Sequence, residues 1–81
     1  MKRFGEKLHA LRIHHSLTLS ELAKKLGYQS HSYVTEIEAG RKMPTALLVL
    51  KIADLFDVST DQLLRDQIEV DLSSSKLRKN E

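Results

Sequence analysis

The feature that most constrains this chain is the punctuation between Thr18 and Gly40, TLSELAKKLGYQSHSYVTEIEAG. Thr18 followed three residues later by Glu21 is the signature of a capping box. The hydroxyl accepts an N–H that a helix start leaves orphaned, and the carboxylate reaches back to the Thr18 N–H. A helix therefore begins there. Leu22, Ala23 and Leu26 give it one apolar stripe, and Gly27 stands where a helix end calls for positive φ. Ser30 is placed as a second N-cap, and Val34 and Ile37 make a second short stripe that closes at Gly40. The segment reads as two short helices joined by a tight, glycine-bearing turn.

The flanking residues supply the support such a pair needs. Phe4, Leu8 and Leu11 recur at i, i+4 and i+7, which predicts an amphipathic helix over about 3–14. His15 and Ser16 form a turn, and Leu17 is the apolar residue preceding the Thr18 cap. Beyond Gly40 lies a basic loop, Arg41-Lys42-Met43-Pro44, whose proline disfavours helix at Met43; Thr45 can cap a new helix after it. That helix, about 46–56, is apolar on nearly every side. It needs cover on more than one face, either from the middle of the domain or from a second subunit. Ser59-Thr60-Asp61-Gln62 reads as another capping box, starting a last short helix through Leu63 and Leu64.

From Asp66 the period changes to two. Ile68, Val70 and Leu72 alternate with Gln67, Glu69 and Asp71, which reads either as an extended segment or as accidental alternation in a frayed tail. A lone strand is not stable, and its simplest partner is its own copy in a dimer. Ser73 to Glu81 carries too little apolar content to order itself. The expected organisation is one helical domain over 1–65 and a tail over 66–81, the tail offering a dimerisation strand and then a flexible end.

With 81 residues the chain can build one small core. It has no cysteine, so neither disulfides nor thiolate metal sites are available. The charged opening and the lack of a membrane-length apolar run argue against a leader or a spanning helix, and the expected location is the cytoplasm. The formal net charge of +2 hides an asymmetry. Over residues 1–45 eight cations face four carboxylates, a balance of +4, whereas over 46–72 two face six, a balance of −4. A basic front and an acidic back suit a protein that offers one face to a polyanion and keeps another for itself or a partner; both halves are also compatible with ordinary solvated faces.

Catalytic readings find no support. His9, His14, His15 and His31 lack the i, i+4 spacing that places two ligands on one helix face, so no metal or other cofactor is expected. Glu36 and Glu38 point to different sides of a helix and cannot act as an acid/base pair. There is no glycine-rich phosphate loop and no nucleophile elbow. The chain does not read as an enzyme.

Taken together, FGEKLHALR, LTLSELAKKLG, SYVTEIEAGRKMPT, LKIADLF and VSTDQLL resemble the helix-turn-helix DNA-binding domain of the lambda-repressor and Cro type, over about Phe4 to Leu64. The resemblance implies an all-α fold of about five helices, here followed by the short extended tail. Thr18 to Leu26 would be the positioning helix and about His31 to Ala39 the recognition helix, whose N-terminal residues read bases in the major groove of double-stranded DNA. Carried over, His31, Ser32, Thr35 and Glu36 are the base readers, while Thr18, Ser20, Arg41 and Lys42 meet phosphates. Arg12 and Glu38 would form a partly buried ion pair tying the first helix to the end of the recognition helix. Leu19 departs from the family pattern, which usually places a phosphate-contacting glutamine there, and the turn at Tyr28-Gln29-Ser30 is one residue longer than usual.

The function implied is that of a dimeric transcriptional regulator, most simply a repressor, occupying an inverted-repeat operator. The dimer surface would comprise Leu63, Leu64, Ile68, Val70 and Leu72 with exposed parts of the apolar helix. A restriction-modification controller protein and the antitoxin of a toxin pair are alternatives within the same fold. RNA polymerase or a toxin would then be a further partner, with no role for a membrane. A helical module that binds protein and not DNA is the alternative from another class.

Overall fold

The computed structural model describes residues 2–78. Five α-helices succeed one another, α1 (Phe4–His14), α2 (Leu19–Lys25), α3 (Ser32–Glu38), α4 (Ala46–Phe56) and α5 (Thr60–Leu64), and a single 3₁₀ turn occupies Leu72–Ser74. Among the described residues there is no strand.

Three of the helices start, and four stop, for a local reason. Thr18, Thr45 and Ser59 accept the N–H of Glu21, Leu48 and Gln62 respectively through their side chains. The first four helices all end in the same way, with a left-handed residue at Ser16, Gly27, Gly40 and Asp57. Next to each is an N–H that reaches back five residues, Leu17 to Arg12, Tyr28 to Ala23, Arg41 to Glu36 and Val58 to Ala53, at 2.8–3.0 Å. The expected second capping box is only half formed. Ser59 caps the Gln62 N–H at 3.0 Å, but the Gln62 amide oxygen is buried without a hydrogen-bond partner.

The core gathers one face from every helix. Phe4, Leu8 and Leu11 of α1, Leu22 and Ala23 of α2, Val34 and Ile37 of α3, Ile52 and Phe56 of α4, and Leu63 of α5 are all buried. Of the two ways to cover α4, its position inside the domain accounts for Leu48, Val49, Ile52, Ala53, Leu55 and Phe56. Leu47 and Leu50 stay more than half exposed, as does Met43 in the preceding loop.

Gly5 sets how closely α1 can approach the end of α3. A β-carbon on it would collide with the Ile37 carbonyl and lie 2.7 Å from that of Glu38, backbone atoms that no side-chain rotation can move. Gly5→Ala should therefore cost about 1–3 kcal/mol, the range for overpacking. Urea unfolding measures it, and an unchanged midpoint would mean that the two helices are not held this close.

The tail departs most from expectation. Residues 66–78 fold back on their own domain. Asp66 accepts the N–H groups of Lys2 and Arg3 at 2.9 and 3.0 Å, fixing the residues that lead into α1; these bonds hold its carboxyl below the usual range. Arg3 grips both carboxylate oxygens of Glu69 at 2.7 and 2.9 Å. The buried Lys7 ammonium donates to the carbonyls of Gln62, Arg65 and Ile68 at 2.5–2.7 Å. Its burial and the nearby Arg3 lower its pKa. Val70, Leu72 and Leu77 pack against the core, and Ser75 is itself buried. The Ser75 hydroxyl donates to the Phe56 carbonyl at 2.6 Å, so it accepts from Nε2–H of His15 at 2.9 Å. The His15 ring in turn stacks on Phe56.

Two features of the tail differ from the sequence pattern. Ile68, Val70 and Leu72 lie in no strand and are half-buried, Val70 and Leu72 by packing against the core of their own chain. Residues 75–78 lie against the end of α4, where the Ser75 hydroxyl and the N–H groups of Lys76 and Arg78 bond the Phe56 and Leu55 carbonyls; the remainder of the expected flexible end lies outside the described residues.

Candidate nucleic-acid interface

The unit built around α2 and α3 is positioned from below by apolar contacts and held at its ends by polar ones. At its start Thr18 Oγ1 accepts the Glu21 N–H at 3.0 Å and Glu21 Oε1 accepts the Thr18 N–H at 2.8 Å. Both bonds hold the Glu21 carboxyl below its usual pKa. Ala23 is buried, and its carbonyl accepts the Tyr28 N–H across the turn. Leu19, where the family more often has glutamine, packs against the core. Thr18 and Ser20 remain exposed at the outer end of α2.

The cap of α3 lies one residue later than Ser30. His31 occupies it without a side-chain capping bond. Ser30 still contributes, its hydroxyl accepting the Ser32 N–H at 3.2 Å. The Thr35 hydroxyl donates to the His31 carbonyl at 2.9 Å, and the His31 Nδ1 lies 3.2 Å from the same hydroxyl. His31, Ser32, Thr35 and Glu36 fall at i, i+1, i+4 and i+5 and so share one side of α3. The first two are exposed and the others half-buried. Val34 and Ile37, on the other side, are in the core. A helix that buries one edge and turns four polar side chains outward is poised to lay that edge against another surface.

Cations rim this face. Arg41 Nε donates to Glu36 Oε2. The Lys42 ammonium lies 5.8 Å from the centre of the Tyr33 ring, and Tyr33 meets Tyr28 edge-on at 5.4 Å. The lengthened turn is therefore braced by aromatic contact. Burial and the neighbouring Tyr33 raise the pKa of the Tyr28 hydroxyl.

Behind the face, Arg12 and Glu38 meet through two bonds, Nε to Oε2 at 2.7 Å and NH2 to Oε1 at 3.2 Å. Their side chains are 11% and 9% exposed. Arg12 also donates to the Leu17 carbonyl at 3.0 Å, so one guanidinium ties α1, the entry to α2 and the end of α3. His9 Nδ1 lies 2.9 Å from Glu38 Oε1. Of the residues expected at a dimer surface, Leu63 is fully buried and has no surface to offer. Leu64, Val70 and Leu72 are partly buried on the domain itself, and Ile68 is half-buried. Sequence reading missed Gly5, Lys7, His9 and Asp66, whose partners lie 29 or more residues away.

A capped helix, a left-handed turn and a second helix with its polar edge outward define a helix-turn-helix protein. The chain belongs to the helix-turn-helix family, whose profile matches residues 8–63. It is 32% identical to the HTH-type transcriptional activator BcrR of Enterococcus faecalis over 95% of this chain and 37% of that protein. The N-terminal DNA binding domain of SinR from Bacillus subtilis superposes with a TM-score of 0.74 and 30% identity, over 85% of this chain and all of that one. The restriction-modification controller protein C.AhdI from Aeromonas hydrophila gives a TM-score of 0.69 and 30% identity, over 78% of this chain and 94% of its own. The chain spans between about a third and about half of the length of the first curated relatives it matches.

Proposed function

We propose that this chain is a sequence-specific double-stranded-DNA-binding transcriptional regulator that acts in the cytoplasm by occupying an operator. The observation that carries the reading is the outward edge of α3, with His31, Ser32, Thr35 and Glu36 on one side and the cations Arg41 and Lys42 at its end. Set in a major groove, that edge meets base edges, while exposed Lys42, Ser20 and Thr18 lie where backbone phosphates pass. The similarity to proteins named as regulators supports the same reading.

One short recognition helix touches few base pairs, which is too little discrimination for a genome. Two copies related by a twofold axis would read an inverted repeat with half-sites about 34 Å apart. The stripe Met43, Leu47 and Leu50, exposed and spaced by four and three residues, is the best surface for the second copy. It begins within the basic loop and continues on α4, so two copies joined there could face one duplex together. The likeness to C.AhdI favours a restriction-modification controller as the narrower alternative.

Selection of bound duplexes from a random pool, then titration at several salt concentrations, tests the proposal. Lys42→Ala should weaken binding to all duplexes alike and flatten the salt slope by about one phosphate contact. His31→Ala should instead relax preference at a particular base pair. A parent protein that enriches no sequence, with little salt dependence, would mean a protein-binding module and not a DNA reader.

A further inference from the structure

Glu36 and Arg41 form a unit that the separate roles of base reader and phosphate contact do not describe. The turn closing α3 creates it. Gly40 adopts φ +78, its N–H bonds the Ile37 carbonyl, and the Arg41 N–H bonds the Glu36 carbonyl at 3.0 Å. This turn fixes the Arg41 backbone over the residue five positions earlier, and the two side chains then meet through Arg41 Nε and Glu36 Oε2. Glu36 lies on the outward edge of α3 with His31, Ser32 and Thr35, so the guanidinium is drawn to that edge rather than away from it. The Arg41 side chain remains 64% exposed.

We propose that Glu36 is a positioning residue for Arg41, and that Arg41 so held reads a guanine in the major groove. The proposal rests on the DNA-binding reading above. With Nε committed to the carboxylate, the two terminal NH₂ groups of the guanidinium stay available as a parallel pair of donors. That fork matches paired acceptors, either guanine O6 and N7 or two oxygens of a phosphate. The carboxylate decides between them. An arginine serving only a phosphate gains nothing from an anion at its Nε, because the anion offsets its charge and repels the backbone. An arginine that must hold one orientation against a base edge gains a fixed guanidinium plane. The same pairing explains how a carboxylate is tolerated on a face turned toward a polyanion.

The experiment is the random-duplex selection with the parent, Arg41→Lys, Glu36→Ala and Glu36→Gln proteins. Circular dichroism checks folding, and affinities are then measured for the parent's selected duplex and its single-pair variants. The parent should select a guanine at one fixed place in each half-site. Arg41→Lys keeps the charge but not the fork, and should lose about tenfold or more of the preference at that pair with the salt slope unchanged. Glu36→Ala should relax the same pair, and Glu36→Gln, whose amide oxygen still accepts from Nε, should keep part of the preference. If Arg41→Lys retains the preference, the arginine serves a phosphate and the proposal fails. It fails equally if Glu36→Ala and Arg41→Lys relax different pairs, since the glutamate would then read a base itself. Both of those outcomes leave DNA recognition standing, whereas a parent that selects no sequence removes the proposal and its foundation together.

Discussion

Arg12→Ala and Glu38→Ala should each destabilise the protein by about 3 kcal/mol or more, and the two losses should be strongly non-additive. The pair is bidentate and about nine-tenths covered. Removing either partner leaves a charge that water reaches poorly and that no neighbour fully compensates. The Arg12 loss should be the larger, because the same guanidinium also holds the Leu17 carbonyl, the point at which the chain turns into α2. Chemical denaturation of the parent, both single variants and the double variant supplies the cycle. Small, additive losses below about 1 kcal/mol would class the contact with ordinary surface pairs and remove it as the tie between α1 and α3. The consequence for function is direct. Glu38 sits at the end of α3, so loosening it lets the outward edge shift relative to α2, and DNA affinity should fall along with stability.

How much of this was legible in the sequence depends on the range over which each signal acts. The capping box at Thr18, the caps at Thr45 and Ser59 and the breaks at Gly27 and Gly40 are all settled within a few residues, and the chain spells them out. Ser16 and Asp57 play the same left-handed role as the two glycines, but their side chains do not announce it, since each tolerates the conformation only at a cost. His31 and not Ser30 takes the cap of α3, a one-residue shift in a turn where Tyr28 and Tyr33 meet edge-on. Signals of long range were not legible. Nothing around Lys7 says that three carbonyls from residues 62–68 will enclose it, and nothing around Gly5 says that the end of α3 will press against it. The period of two in the tail was real, but a strand pattern specifies a buried side and an exposed side without naming what covers the buried one.

That last ambiguity has a measurable consequence. Truncation after Asp66 should not leave a folded domain that merely dimerises poorly; it should destabilise the domain by about 4 kcal/mol. The removed residues include the Ser75 hydroxyl and the N–H groups of Lys76 and Arg78, which satisfy the Phe56 and Leu55 carbonyls at 2.6–3.0 Å. Each such bond contributes about 1 kcal/mol net. Truncation also strips Val70, Leu72 and Leu77 from the core surface and deprives the Lys7 ammonium of its Ile68 carbonyl, leaving a desolvated cation short of an acceptor. Single domains have only about 5–15 kcal/mol in total, so a loss of this size removes a large part of the whole. Ser75→Ala alone should lower stability by about 1–3 kcal/mol, because it leaves the partly buried His15 Nε2–H without its partner and the Phe56 carbonyl with the Lys76 N–H alone. Urea unfolding of the full and truncated chains measures the difference, and Leu50→Glu on the exposed stripe of α4 provides the contrast. The latter should keep its unfolding midpoint at low protein concentration while sedimenting as a lighter species. If the truncated chain instead unfolds like the parent and only its assembly is weakened, the tail belongs to the dimer, and its packing against α4 contributes nothing to the fold.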